Sequence, residues 1–349
     1  MRRAGLALLT LWAIAAVGAP WLGPSAPGAR FESLVDAPPT WPHVVDDRGR
    51  WHTPFVYRWL LVNRLEQRYE QDRSTLVPIV WCTGGHLAAS SDPAGAPLML
   101  AGTDALGRDV FSRLLAGARL SLGLACVAAL GATLLGLVAG GVAGYAGGAL
   151  DEILMRGSEF VLVLPAIYVA LALRAVLPLV LSPAAIFLWL AGIFAVVGAP
   201  FVARGVRAIV RAERGRQYAV AARAIGAGHG RLLVRHLLPA TRGFLVVQLT
   251  VLVPAFIVAE ATLSYVGLGF PETTPSWGAM LQDAANVRAM ADFPWLLAPA
   301  GAIFLVVLGL NLVLQGRSAG LGAGGAERLH YNGPHGTPGS FRSNPHAVR

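Results

Sequence analysis

The chain has 349 residues, 55% hydrophobic and only 13% charged, with a mean hydropathy of +0.58; a soluble domain needs more charge to cover its surface, so lipid is the expected solvent for much of it. The net charge is +9 and all 28 basic residues are Arg. Without Lys the chain can supply neither the Gly-Lys-Ser/Thr of a P-loop ATPase nor a Schiff-base amine, and two cysteines, Cys82 and Cys126, make no disulfide framework.

A helix that crosses a bilayer needs about 20 mostly apolar residues. Six stretches qualify, roughly 5–23, 121–143, 160–180, 184–203, 243–263 and 293–314, which predicts an all-α membrane protein of about six transmembrane helices. The first, 1–23, reads as an N-terminal anchor behind Arg2 and Arg3. Val17-Gly18-Ala19 resembles a signal-peptide cleavage site, the competing reading, but Pro20 follows it and the apolar run continues through Trp21-Leu22.

Residues 24–119 form an extended segment on the outer side. Within 57–73, Tyr57, Leu60, Leu61, Arg64, Leu65, Arg68 and Tyr69 recur at steps of three and four. That spacing predicts an amphipathic helix, either in a packed cap or lying on the membrane surface. Gly102-Thr103-Asp104-Ala105-Leu106-Gly107-Arg108-Asp109 follows, with Thr103 or Asp104 as the expected cap of a helix starting near Leu106.

Residues 120–314 form the membrane core. Gly136 to Gly148 is rich in small residues, as close helix packing in lipid requires. Arg174, near the end of the third span, is expected to snorkel to the interface. The loop 204–242 carries nine Arg and one Glu, net +8, and the tail 315–349 carries four Arg and one Glu. The positive-inside rule therefore places that loop and both termini in the cytoplasm. The loop 144–159 runs against this, with Asp151, Glu152 and Glu159 against Arg156, but acidic residues count little in the rule.

Inside the basic loop, Arg204, Arg207, Arg211 and Arg214 lie on one helical face, where they suit lipid phosphate or a partner. Gln217 to Ile225 is a short helix-compatible run with Tyr218, Ala221, Ala222 and Ile225 on one face. Gly226-Ala227-Gly228-His229-Gly230 breaks it, and a second run ends at Pro239. A small apolar helix face of this kind can enter a partner's groove. Glu260, an ionisable group within the fifth span, is a gating or pathway candidate, or else an interfacial carboxylate helped by Thr262 and Ser264. The tail, rich in Gly, Ser, Pro, His and Arg, is expected to be disordered.

Several of these segments resemble motifs of ABC-importer permeases, in the dipeptide/oligopeptide (peptide/nickel) branch. Val220-Ala221-Ala222-x3-Gly226-x9-His236-x-Leu238-Pro239 resembles the coupling motif, with Val220 where that motif has Glu and Ala240 where Asn is common. Gly102-Thr103-Asp104-x2-Gly107-Arg108-Asp109 resembles the motif before the second span. Asp151-x3-Met155-Arg156 with Pro165 resembles the entry to the third. Ser264 to Gly269 with Pro275-Ser276-Trp277-Gly278 resembles the segment after the fifth.

The resemblance implies a type I permease architecture with a cytoplasmic coupling helix in the bacterial inner membrane. Gln217, Tyr218, Val220, Ala221, Ala222, Arg223, Ile225, Gly226 and Pro239 would then form the ATPase-docking element. It also implies a second permease subunit, two ATP-binding subunits that use ATP and Mg, a periplasmic or lipid-anchored solute-binding protein, and surrounding membrane lipid. No cofactor, catalytic residue, metal or nucleic acid is expected on this chain. The competing readings are a self-sufficient secondary transporter or channel, which favours buried ionisable pairs or inverted repeats, and a membrane enzyme, for which no nucleophile–base or metal constellation is evident.

Overall fold

The computed structural model describes residues 2–64, 66–164, 168, 169, 172, 181–285 and 291–326. In chain order the elements are α1 (Arg2–Leu22), β1 (His43–Val45), β2 (Trp51–Asn63), β3 (Arg68–Thr83), β4 (His86–Ser90), α2 (Val110–Ala146) and α3 (Gly148–Val163). Then come α4 (Pro183–Glu213), α5 (Gln217–Ala224), α6 (His229–Leu232), α7 (Arg242–Tyr265), α8 (Trp277–Asp283) and α9 (Ala298–Ala326). A π-helical turn (Leu233–Leu237) and a 3-10 turn (Leu238–Thr241) join α6 to α7.

Among the described residues five helical runs are long and apolar enough to cross a membrane: Arg2–Leu22, Val110–Ala146, Pro183–Glu213, His229–Tyr265 and Pro294–Gln315. Most of the expected third span, including Pro165 and Arg174, lies outside the described residues. The last helix is described to Ala326, and the rest of the tail, 327–349, lies outside the described residues.

The helices hold together by close approach, because lipid tails compete with apolar side chains and leave little hydrophobic drive between spans. Gly136, Gly140 and Gly144, four apart on one face of α2, meet α4. A Cβ on Gly144 would stand 2.7 Å from the Arg207 carbonyl oxygen, one on Gly136 2.7 Å from that of Ala199, and one on Gly140 would strike the backbone of Ala203. Ala125, Ala128, Ala129 and Ala132 of α2 continue this seam towards Phe194 and Val202 of α4 and Phe256 of α7, all buried. Phe194 and Phe256 stack at 5.4 Å and 10°. α1 pairs antiparallel with α9, where a Cβ on Gly5 would lie 2.7 Å from the Gly309 carbonyl oxygen.

The segment before α2 departs from expectation. Instead of a helix over 57–73 it forms an antiparallel sheet of order β1-β2-β3-β4. The three-and-four spacing straddles a hairpin: Tyr57 pairs with Leu76, Leu60 with Glu70 and Leu61 with Tyr69. Leu65 of that pattern lies outside the described residues. Two features favour strands. Val56, Tyr57, Trp59 and Val62 prefer a pleated surface, and Val77, Ile79 and Val80 supply a partner strand of the same kind. Phe55, Val56 and Tyr57 are buried, and the Tyr69 hydroxyl donates to the Val35 carbonyl at 2.6 Å. Among the described residues the membrane part is helical, and a small β-sheet caps one end of it.

Candidate functional site

Two regions at opposite ends of the bundle carry the sequence motifs. α2 and α4 run away from the sheet, and α5 lies where α4 ends. α7 runs back and delivers α8 to the sheet end.

At the far end, Arg216 turns the chain and α5 begins. Ala219 and Ala222 are buried against the chain's own core, while Tyr218, Val220 and Ile225 are 41%, 54% and 88% exposed. The expectation that Ala222 shares the outward face is therefore corrected: its short side chain faces inward and lets the helix sit close. Gln217, Ala221, Arg223 and Gly226 are exposed. Gly226 has φ +88, and the Ala227 N–H donates to the Ala222 carbonyl at 3.0 Å. That six-to-one bond around a left-handed residue ends a helix in a way that suits glycine. Pro239 sits in the 3-10 turn that leads into α7.

The arginines around α5 are largely engaged within the chain. Arg207 makes a bidentate pair with Asp151, with Nη2 at 2.6 Å, and Arg211 reaches the same carboxylate at 3.4 Å. Arg207 holds Asp151 below the usual carboxylate range. Arg214 donates to the Tyr145 carbonyl, and Arg223 lies 5.8 Å over the Tyr145 ring. The Tyr145 hydroxyl meets His229 Nδ1. Glu213 takes Arg216 at 3.3 Å and the Tyr218 hydroxyl at 2.8 Å. These contacts brace α5 from both flanks. Sequence reasoning missed Asp151 as their anchor; the one available signal was an acid in a loop where the charge pattern called for bases.

At the sheet end the residues of 102–109 form a junction. Gly102 and Gly107 both have positive φ, +69 and +68. Thr103 is buried; its hydroxyl donates to the Leu34 carbonyl and accepts from the Ala37 N–H at 2.8 Å. The helix starts later than expected, at Val110, because Asp109 is the cap: its carboxylate accepts from the N–H groups of Phe111 and Ser112. Asp104 instead accepts from the Leu106 and Arg108 N–H groups and pairs with Arg108 at 2.7 Å. Arg108 also donates to Glu272 at 3.1 Å and Asp283 at 3.2 Å, and Arg113 lies 3.5 Å from Asp104. Burial, reinforced by Asp104, pushes Asp283 up to about 6. The motif thus locks the loop between α7 and α9 onto the start of α2.

Glu260 is fully buried. It accepts from Ser121 at 2.9 Å and Ser264 at 2.8 Å, and those hydroxyls accept in turn from the N–H groups of Trp277 and Phe270, each at 3.2 Å. Its carboxylate ties α2, α7 and the start of α8 together. No group of three or more His, Cys, Asp or Glu gathers as a metal set among the described residues.

Residues 132–316 match the family model described as binding-protein-dependent transport system inner membrane component. The chain is 37% identical over 222 residues to the oligopeptide transport system permease protein OppC of Bacillus subtilis, covering 62% of this chain and 68% of that one. It is 37% identical over 216 residues to the dipeptide transport system permease protein DppC of Alkalihalophilus pseudofirmus, with 62% and 68% covered. Against the glutathione transport system permease protein GsiD of Pectobacterium atrosepticum it is 34% identical over 215 residues, with 62% and 69% covered.

Proposed function

We propose an assembly and a cargo for this chain, which belongs to the family of binding-protein-dependent transport system inner membrane components. As a member of that family it is a transmembrane permease subunit of an ABC importer and crosses the inner membrane several times. It forms half of the translocation pathway for peptides or related small solutes, in a heterodimer with a second permease. Each permease docks one ATP-binding subunit. Those subunits use ATP and Mg, and this chain hydrolyses nothing. A periplasmic or lipid-anchored binding protein delivers the solute on the sheet side. Both termini and α5 are cytoplasmic, as the net +8 of 204–242 favours.

The observation that carries this reading is α5. It is a helix of eight residues, clamped through Ala219 and Ala222, that offers Tyr218, Val220 and Ile225 outward at the end opposite the sheet. For ATP to drive transport, the docked subunit must bind this element with different affinity in the two states of the cavity. A braced helix transmits such a difference; a loose loop would absorb it. Because Val220 stands where a carboxylate is common in the motif, docking rests here on shape and apolar contact.

The test is co-purification of the ATP-binding subunit with the full-length permease. Ile225→Asp is expected to lower recovery of that subunit, and uptake, at least tenfold at unchanged permease level. Val220→Glu is expected to tighten it. Unchanged recovery and uptake in Ile225→Asp would remove α5 from the docking role.

A further inference from the structure

An apolar groove of about 640 Å³ lies between the sheet and the adjacent ends of α1 and α2. Its wall on α1 is one helix face, Leu11, Ala15 and Leu22. From Leu11 to Leu22 that wall rises roughly 16 Å at about 1.5 Å per residue, close to half the ~30 Å hydrocarbon core. Phe111 of α2 forms the second wall, and Trp81 and Leu87 of the sheet form the roof.

The groove is continuous with the membrane-facing surface. Leu11 is 61% exposed, and Ile14, Val17 and Trp21 along α1 are exposed as well. Trp81 and Leu87 are 59% and 48% exposed, and both line the groove together with Leu11 of the span. Among the described residues the lining is composed of apolar side chains and prolines, with the indoles of Trp12 and Trp81 its only polar side-chain groups. An extended peptide would leave its backbone groups without partners there, at a desolvation cost that a hydrocarbon chain does not incur.

We propose that this groove binds an acyl chain of a bilayer phospholipid from the leaflet on the sheet side, so that the sheet sits on that leaflet with Trp81 and Leu87 against the chain. The occupied groove would fill the space between sheet and spans that the protein's own side chains leave open, and so hold the cap in place through lipid.

The experiment uses the full chain in nanodiscs containing a phospholipid with a photoactivatable diazirine on one acyl chain, with labelled residues mapped by mass spectrometry. Labelling of residues 79–88 and Phe111 is expected, alongside the exposed span residue Phe304. Leu87→Asp on the rim and Ala15→Trp in the wall are each expected to reduce labelling of 79–88 at least fivefold while leaving Phe304 unchanged. Labelling of α1 and Phe304 without 79–88 would overturn the proposal. So would labelling of 79–88 that persists in both variants, or a protein–protein cross-link through the groove in place of lipid. Uptake is not the readout, so failure here is distinct from failure of the docking assignment.

Discussion

Replacing Arg108 by Met should unfasten the sheet end of the molecule. The side chains of Arg108 and Asp104 are each 3% exposed, and their ion pair is 2.7 Å long. Removing one partner of a buried pair typically costs about 3–5 kcal/mol, because the other charge stays buried. Asp104 keeps two backbone N–H donors and Arg113 at 3.5 Å, which points to the lower end, about 3 kcal/mol. Glu272 is half exposed and can turn to water, so its lost pair adds at most about 1 kcal/mol, and the pair with Asp283, 15% exposed, adds about 1 kcal/mol more. With all groups ionised the cluster of Asp104, Glu272, Asp283, Arg108 and Arg113 carries net −1. Arg108→Met makes it −2, and adding Asp104→Asn restores −1. The double variant should therefore be more stable than Arg108→Met alone. Unfolding by SDS titration in mixed micelles, followed by Trp fluorescence, gives the ranking, and protease nicking within 272–283 reports loop release. A double variant that loses the sum of the two single losses would refute the charge argument.

Three further outcomes follow from the geometry. Glu260→Gln keeps one acceptor and gains a donor that a serine oxygen can take, so unfolding midpoints and uptake should stay near wild type. Glu260→Leu strands both hydroxyls and should cost about 2 kcal/mol; loss of uptake in a fully stable Glu260→Gln would instead make Glu260 part of the pathway. Gly140→Leu drives a side chain into the Ala203 backbone and should cost about 2 kcal/mol or more in the same unfolding assay, whereas Gly157→Ala, with open space around it inside α3, should stabilise by up to about 1 kcal/mol. Asp283 has its pKa raised to about 6, so it holds its proton more tightly folded than unfolded. Wild-type stability should then fall as pH rises from about 4 to about 6 and level off above, and Asp283→Asn should lack that segment of the pH curve.

Much of this protein is legible in its sequence. Length and hydropathy of the spans, the sign of each loop and the glycine turn after residue 225 are properties of short windows, and they survive tertiary context because lipid and backbone sterics act locally. The Gly136–Gly144 seam belongs here too, since spacing of small residues along one helix already prescribes a close contact. Other features depend on distant partners. Strand pairing such as Tyr57 with Leu76 is decided across a hairpin, and apolar spacing read along the chain mistakes it for a helix. The turn of Ala222 inward and Val220 outward depends on where α4 and α7 stand, not on α5. Arg108 finds Glu272 and Asp283 more than 160 residues away, and Glu260 finds Ser121 139 residues away. A window of sequence registers which residues are apolar or charged; only the packed bundle decides which charges meet, because ion pairs and buried carboxylates are satisfied by geometry across spans and carry no local period.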